Sequence, residues 1–318
     1  IAANNASGMC CGTAQNSYRT VAGLRLVLQD GTLLDTADPL SRDQFRHTHK
    51  HLLDGLDSLG RQVRSDAALV GRIRRKYAIK NTTGYSLNAL VDYEDPFDIL
   101  AHLMIGSEGT LAFISEVTYH TVEEHPCKAS ALMIFPHIEH AATAAAILKG
   151  QPVAAVELMD RASMRSVEDK AGMPDYLKSL GPDTAALLVE TRAFTADELS
   201  DQVHRIGASL ARLPFERPAV FTEQAAETTR LWNIRKGLFP AVGAVRNTGT
   251  TVIIEDVAFP IDRLARATLE LQEVFRRYRY DEAIIFGHAL EGNLHFVFTQ
   301  DFGDQAEIDR YARFMDDV

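Results

Sequence analysis

The stretch AIIFGHALEGNLHFVF, running from Ala283 to Phe298, sets two apolar runs on either side of a turn that carries Gly292 and Asn293. Residues Ala283–Phe286 and Phe296–Phe298 have the β-branched and aromatic character of strands, so the stretch reads as a hairpin. His288 closes the first strand and His295 opens the second, and the hairpin brings the two imidazoles near each other, with Glu291 in the turn between them. Neutral imidazoles are the commonest metal ligands, and a nearby carboxylate can orient one or complete the shell. A histidine pair in an arbitrary hairpin is also often plain surface or satisfied core. A third ligand would decide, and this stretch does not supply one.

Working back from the hairpin, strands and helices alternate. KASALMIF, PVAAVELMD and TAALLVETRA read as strands. Between and after them, HIEHAATAAAILKG, RASMRSVEDKAG and ADELSDQVHRIGASLARL read as helices. PAVFTE is a further short strand, and TVIIEDVAFP a longer one carrying the paired acids Glu255 and Asp256. QAAETTRLWNIRKGLFPAVGAVR reads as one helix with the only tryptophan, Trp232, and Arg235 one turn on. An arginine there is either a packed surface side chain or a bidentate clamp on a substrate carboxylate. The amphipathic IDRLARATLELQEVFRRYR leads into the hairpin. The pattern predicts helices packed on a mainly antiparallel sheet, an α+β layer beginning after His125-Pro126.

Upstream, IAANNASGMCCG is a small-residue loop able to offer unhindered amides to phosphate or a flavin ring. VAGLRLVLQDGTLLDT reads as a hairpin turning at Asp30-Gly31. Pro39 to Lys80 is helical, with Leu52, Leu53, Leu56 and Leu59 at helical spacing and Arg72, Arg74, Arg75 and Lys76 as a solvated face. NTTGYSLNAL is a turn-rich loop from which Asn81, Thr82 and Tyr85 either project into a site or cap and pack. Asp95-Pro96 starts a helix that runs into GSEGTLAFISEVTYHTV, a glycine turn at Gly106 and Gly109 followed by a strand over Leu111–Val122. That turn presents amides and the Ser107 and Thr110 hydroxyls to an anionic or heteroaromatic ligand.

With 318 residues, the chain holds enough material for two domains. A net charge of −10 argues against nucleic acid or an anionic membrane as the main partner. No apolar run approaches the roughly 20 residues needed to span a bilayer. Cys10, Cys11 and Cys127 form no CxxC pair, so a reducing, cytoplasmic setting is the default. A homo-oligomer is compatible with this composition. Ile1 is no initiator and IDRYARFMDDV breaks off within a helical pattern, so the chain reads as a piece of a longer polypeptide.

These motifs carry a resemblance. GSEGTLAFISEVT resembles the Gly-Ser-Glu-Gly-Thr-Leu signature of FAD-linked oxidases of the vanillyl-alcohol oxidase type, and NNASGMCCG resembles the small-residue loop of the same flavin domain. GHALEGNLH is similar to the GHxGDGNLH element of the D-2-hydroxyacid dehydrogenase branch, with most likeness to bacterial FAD and iron–sulfur D-lactate or D-2-hydroxyglutarate dehydrogenases. The resemblance implies the C-terminal part of an FAD-binding domain over residues 1–125, and over 126–318 a C-terminal cap domain built on an antiparallel sheet and truncated at its end. It implies FAD contacts at Asn5, Ala6, Ser7 and Gly8, then at Gly106, Ser107, Glu108, Gly109, Thr110 and near Ile114. His288 and His295 would bind a divalent metal, zinc above all, with a glutamate beyond Val318 completing the site. Arg235 would grip the substrate carboxylate, with Asn81 and Tyr85 as further substrate contacts.

The activity implied is oxidation of a small 2-hydroxy acid with hydride transfer to FAD, catalysed by His288, His295 and Arg235. Electrons would leave to an acceptor domain or carrier, such as an iron–sulfur cluster outside this stretch, with peripheral attachment to the inner membrane open through that acceptor. Two departures stand out: Glu291 replaces the usual Asp, and Val297 replaces an Asn two residues after the second histidine. A distal substrate carboxylate would need a second cation, and no single Arg or Lys stands out for it. The rival readings are a group-transferring flavoenzyme of the ether-lipid synthase type, an oxygen-using oxidase, and a flavin-free domain with a structural metal ion.

Overall fold

The computed structural model describes residues 1–318 except Ser7, Cys10, Cys11, Thr82 and Thr83, together with the side chain of Val245. The chain forms two compact units, Ile1–Glu123 and Glu124–Val318.

In the first unit, a short helix α1 (Ser17–Thr20) feeds strand β1 (Val21–Val27), which turns at Gly31 into β2 (Leu33–Asp35). Helices α2 (Pro39–Thr48), α3 (Lys50–Ser65), α4 (Ala67–Lys76), α5 (Ala89–Asp92) and α6 (Pro96–Met104) follow, then strand β3 (Phe113–Tyr119). The sheet is antiparallel in the order β2-β1-β3. Asp38 opens the long helical stretch and Asp66 restarts it at α4, each turning a carboxylate back onto the first amides of its helix, while the break between α2 and α3 falls at His49 without a side-chain cap. Leu53 and Val63 face the core from α3, whereas Leu52 and Leu59 of the expected stripe point outward. The apolar α6 is capped by Asp95 and lies at the centre, packing Leu100 and Met104 against Leu24, Leu26 and Leu34.

The second unit is built on strands β4 (Cys127–Phe135), β5 (Ala155–Met159), β6 (Ala185–Ala193), β7 (Thr250–Ala258), β8 (Ile284–His288) and β9 (Asn293–Asp301). They form an antiparallel sheet in the order β4-β6-β5-β8-β9-β7. Helices α7 (Ile138–Leu148), α9 (Ala196–Leu210), α12 (Leu264–Arg277) and α13 (Gln305–Asp317) supply the helical side of the core. The remaining helices are α8 (Arg161–Arg165), α10 (Ala225–Lys236) and α11 (Leu238–Val245).

Strand side chains alternate between faces. Val156 and Leu158, Leu187 and Val189, Ile285, and Leu294, Phe296 and Phe298 therefore enter one core with Leu148, Leu271, Phe275 and Phe314. Glu157, Glu190, His288 and His295 are left on the opposite face.

Three local expectations change. The stretch expected as one helix around Trp232 breaks at Gly237 into α10 and α11. Pro240, early in α11, has no amide to continue the ladder back to Lys236. PAVFTE is reduced to a single bridge, Thr222 with Ser130, on the outer strand β4. RASMRSVEDKAG keeps only the short α8.

Candidate active site

The β8–β9 hairpin forms as expected, and its register decides which side chains meet. His288 lies opposite Asn293 and Phe286 opposite His295, so the two histidines are diagonal neighbours on one face. Their Nε2 atoms are 3.3 Å apart with the rings perpendicular. Glu157 of β5 lies directly opposite His288, and Asp256 of β7 directly opposite His295. Each carboxylate takes the other ring nitrogen: His288 Nδ1 donates to Glu157 Oε1 at 2.6 Å, and His295 Nδ1 to Asp256 Oδ1.

The other oxygen of Glu157 accepts from Arg235 Nε at 2.7 Å. Glu157 is fully buried, and each of its two oxygens is taken by one hydrogen-bond donor. The Arg235 guanidinium lies 4.4 Å from the Phe286 ring centre. Arg235 and Trp232 sit three apart on α10 and share a face. Trp232 Nε1 donates to the buried Glu190 at 2.7 Å, which also accepts from Ser130 and Arg192. Two buried carboxylates on neighbouring strands thus fasten α10 to the sheet.

With both Nδ1 protons committed to carboxylates, both Nε2 lone pairs face each other. Such a contact is repulsive unless a proton or a metal cation lies between them. A tetrahedral zinc with nitrogen ligands at about 2.0–2.1 Å places two of them about 3.3 Å apart, so the pair fits a metal edge. The carboxylates behind the rings are the partners that metal-bound histidines ordinarily have. Among the described residues no third His, Cys, Asp or Glu joins them in a metal-holding cluster. Glu291 is not the carboxylate in contact with either histidine. It sits in the 3-10 turn Ala289–Glu291, and its side chain makes no hydrogen bond to a described residue. Val297, where the branch has Asn, is buried between Ile284 and Ile254.

In the first unit, the two loops expected to hold a flavin are joined backbone to backbone. Gly106 N donates to Ala2 O and Glu108 N to Ala3 O, at 3.2 and 2.8 Å. Asn5, Gly106, Glu108 and Gly109 all have left-handed backbone, and Asn5 Oδ1 accepts from Tyr18 N. At Gly106 the backbone (φ +89°) rather than space disfavours a side chain, since an added Cβ would make only ordinary contacts with Ser86 Oγ and the Gly84 carbonyl. Ser107 Oγ is buried without a hydrogen-bond partner among the described residues, as a donor awaiting a ligand would be.

Tyr85 OH bonds Thr110 Oγ1 at 2.9 Å, which ties the 81–88 loop to this turn. Asn81 and Asn5 line one cavity of about 300 Å³ together with Ser86 and Asn88. Ile114 packs its side chain on the core beside a bulge in the β1–β3 ladder. Ala6 N bonds Asn4 Oδ1 and Ala2 is partly buried, while Gly8 is exposed. Ser7 and Thr82 lie outside the described residues, as do Cys10 and Cys11. Asn81 and Tyr85 thus belong to the first unit and Arg235 to the second.

Sequence reasoning missed Glu157, Glu190 and the role of Asp256. The signal was present for two of them: a glutamate directly after the apolar runs AAV of PVAAVELMD and AALLV of TAALLVETRA. A charge there needs a buried partner.

The family model for FAD linked oxidases, C-terminal domain, matches residues 124–318, the span of the second unit. The chain belongs to the FAD-linked oxidases. The glycolate oxidase subunit GlcD of Bacillus subtilis (strain 168) is 27% identical over 216 residues, covering 66% of this chain and 43% of that protein. A probable mitochondrial D-lactate dehydrogenase of Danio rerio is 24% identical over 316 residues, covering 99% of this chain and 52% of its own length. The chain therefore spans about half the length of the curated relatives it matches. An alkyldihydroxyacetonephosphate synthase structure superposes with a TM-score of 0.58 at 12% identity, over 100% of this chain and 51% of that one, which shows shared fold alone. The α+β architecture of this FAD-linked oxidase accords with that likeness. Among the described residues no helix is long and apolar enough to cross a membrane.

Proposed function

We propose that the protein oxidises a small D-2-hydroxy acid, D-lactate or D-2-hydroxyglutarate, to the 2-oxo acid with FAD as the hydride acceptor. The observation that carries this reading is the continuous network Arg235–Glu157–His288–His295–Asp256. It joins a cation suited to a carboxylate and a pair of imidazole nitrogens suited to a hydroxyl, the two groups that a 2-hydroxy acid carries on adjacent carbons. The names of the curated relatives agree with it.

The guanidinium of Arg235 binds the substrate carboxylate and fixes which way the C2–H bond points. His288 and His295 face the 2-hydroxyl with unprotonated Nε2 atoms. Where no metal is held, one of them takes the hydroxyl proton as general base. A divalent metal such as zinc on those two nitrogens would polarise the hydroxyl and lower its pKa. Asp256 and Glu157 keep both rings in the tautomer this needs. The loops at Asn5–Gly8 and Gly106–Thr110, with Ser107 Oγ as an available hydroxyl, are the residues we assign to FAD. Bound there, FAD supplies the hydride acceptor. An iron–sulfur centre or another carrier would serve as the electron acceptor.

The test is anaerobic flavin absorbance of the FAD-loaded holoenzyme mixed with D-lactate, D-2-hydroxyglutarate, glycolate and the L-enantiomers, wild type beside His288→Ala. Bleaching by one D-acid, lost in the variant, is the expected result. A flavin that stays oxidised with every acid would sink the reading and bring the group-transfer chemistry of synthase-type flavoenzymes forward.

A further inference from the structure

Resting on the reading above, we infer that Glu157 is a positioning residue that sets Arg235 and His288 together: it locks the His288 tautomer and restricts Arg235 to one mode of binding. Both effects follow from a carboxylate that is fully buried and divided between two donors, one oxygen for each.

The first effect concerns the ring. Glu157 lies directly across the ladder from His288, so the Nδ1 contact needs no long reach. An ionised carboxylate only accepts, so His288 must carry its proton on Nδ1 and leave Nε2 bare toward His295. The second concerns the guanidinium. Carboxylates bind arginine either side-on, through Nε and one terminal nitrogen, or end-on, through both terminal nitrogens. Glu157 occupies Nε and the Phe286 ring covers one face, so the end-on edge remains for a ligand. The terminal nitrogens of Arg235 make no hydrogen bond to any described residue.

Glu157 is not the sole anchor of α10. Trp232 fastens the same helix to Glu190, a second buried glutamate on the same sheet face, which is bonded to neither Arg235 nor His288. Glu190 is therefore a matched structural control for Glu157.

Glu157→Gln separates positioning from simple packing. The amide is isosteric but offers one acceptor and one donor where two N–H groups point. It satisfies both neighbours only if its oxygen keeps Arg235 and its NH2 donates to Nδ1. His288 must then move its proton to Nε2, the atom that faces His295, and its ligating lone pair disappears.

Three FAD-loaded holoenzymes are compared: wild type, Glu157→Gln and Glu190→Gln. Zinc affinity is measured by competition with a chromophoric chelator, the tautomer by 15N NMR of histidine-labelled protein at one fixed pH, and stability by thermal melting. We expect Glu157→Gln to melt below wild type, because the buried Arg235 loses its counter-charge, to show His288 as the Nε2–H tautomer and to bind zinc roughly 10–100-fold more weakly. Glu190→Gln should leave zinc affinity within about twofold whatever it does to melting. A Glu157→Gln protein that keeps the Nδ1–H tautomer, or keeps zinc affinity within about threefold of wild type, overturns the inference. If the wild type binds no zinc and D-acids leave its flavin oxidised, the functional reading fails alone. The tautomer comparison then still decides for or against Glu157.

Discussion

Replacing Gly292 by alanine tests whether close backbone approach fixes the histidine hairpin. Gly292 has φ of +61° and ends the turn between the two strands. Its amide donates to Ala289 O, and its carbonyl accepts from Phe259 N at 2.9 Å, which docks the turn on the chain leaving β7. A Cβ at Gly292 would lie 1.8 Å from the Phe259 carbonyl oxygen, with backbone on both sides of the clash. Relief requires the hairpin to move by more than an ångström, and the docking bond goes with it. The left-handed backbone costs an L-residue about 1–2 kcal/mol, the overlap about 1–3, and the lost bond about 1. A destabilisation of roughly 3–6 kcal/mol follows, or on the order of 10 °C in Tm for a unit of this size. The control is Gly249→Ala, which also has positive φ (+95°) but nothing within 4 Å of its new methyl, and should lose only about 1–2 kcal/mol. Thermal melts of both variants, read beside zinc affinity, give the answer. Equal losses in the two would refute the claim that contact with Phe259 holds the hairpin.

Further outcomes follow from other buried groups. Burial pushes the Asp160 carboxyl up to about 6, against hydrogen bonds from Ser163 that pull it down. The folded state then holds this proton more tightly than the unfolded chain, so stability falls as pH rises from about 4 to 6 and stays flat above. Asp160→Asn, which keeps the cap on α8, should exceed wild type by about 3 kcal/mol at pH 7.5 and about 1 at pH 4.5 in urea titrations. A constant gap would show that Asp160 titrates normally. Ser107→Ala removes a buried hydroxyl without a partner among the described residues, and should leave the ligand-free melt unchanged or higher. Its FAD affinity, measured by fluorescence titration, should fall about 5–10-fold for one lost hydrogen bond, and an unchanged affinity would remove Ser107 from the flavin contacts. Trp232→Phe takes one donor from Glu190 and leaves Ser130 and Arg192. It should cost about 1–3 kcal/mol in chemical denaturation, whereas a neutral result would show that α10 needs no such fastening.

The parts of this fold that were legible in the sequence are those that local pattern dictates. The hairpin from Ile284 to Asp301 was readable because two apolar runs flank a glycine turn, and the short apolar runs in LLVE and AVEL placed strands correctly. The histidine pair was readable for the same reason. Its carboxylates were not, because Glu157 is 131 residues from His288 and Asp256 is 39 from His295. They meet through the order in which six strands pair, which no local window contains. Glu291 was the natural candidate precursor for that role because it is near in sequence, yet strand pairing favours residues opposite in the ladder over residues adjacent in the chain. The break at Gly237 was hidden by a continuous helical composition, although Pro240 announced it.

The charges around the imidazole pair suggest why the site would take a cation before an acid. Taken as a set, the two carboxylates Glu157 and Asp256 and the guanidinium of Arg235 sum to one net negative charge beside the two rings. Glu157 is buried and acts with little screening, whereas the Asp256 side chain is exposed to water and is screened more strongly. A lone 2-hydroxy acid anion would meet repulsion from the site as a whole, even with Arg235 in reach. On the reading proposed above, a divalent ion on His288 and His295 reverses the sign to one net positive charge, and a monoanionic acid then neutralises it. Occupancy by the ion would therefore act first on substrate affinity and only then on the reactivity of the hydroxyl. A dianionic acid would carry one charge more than the occupied site can balance. On the reading proposed above, this set of charges would suit D-lactate better than D-2-hydroxyglutarate unless a cation from elsewhere in the protein meets the distal carboxylate.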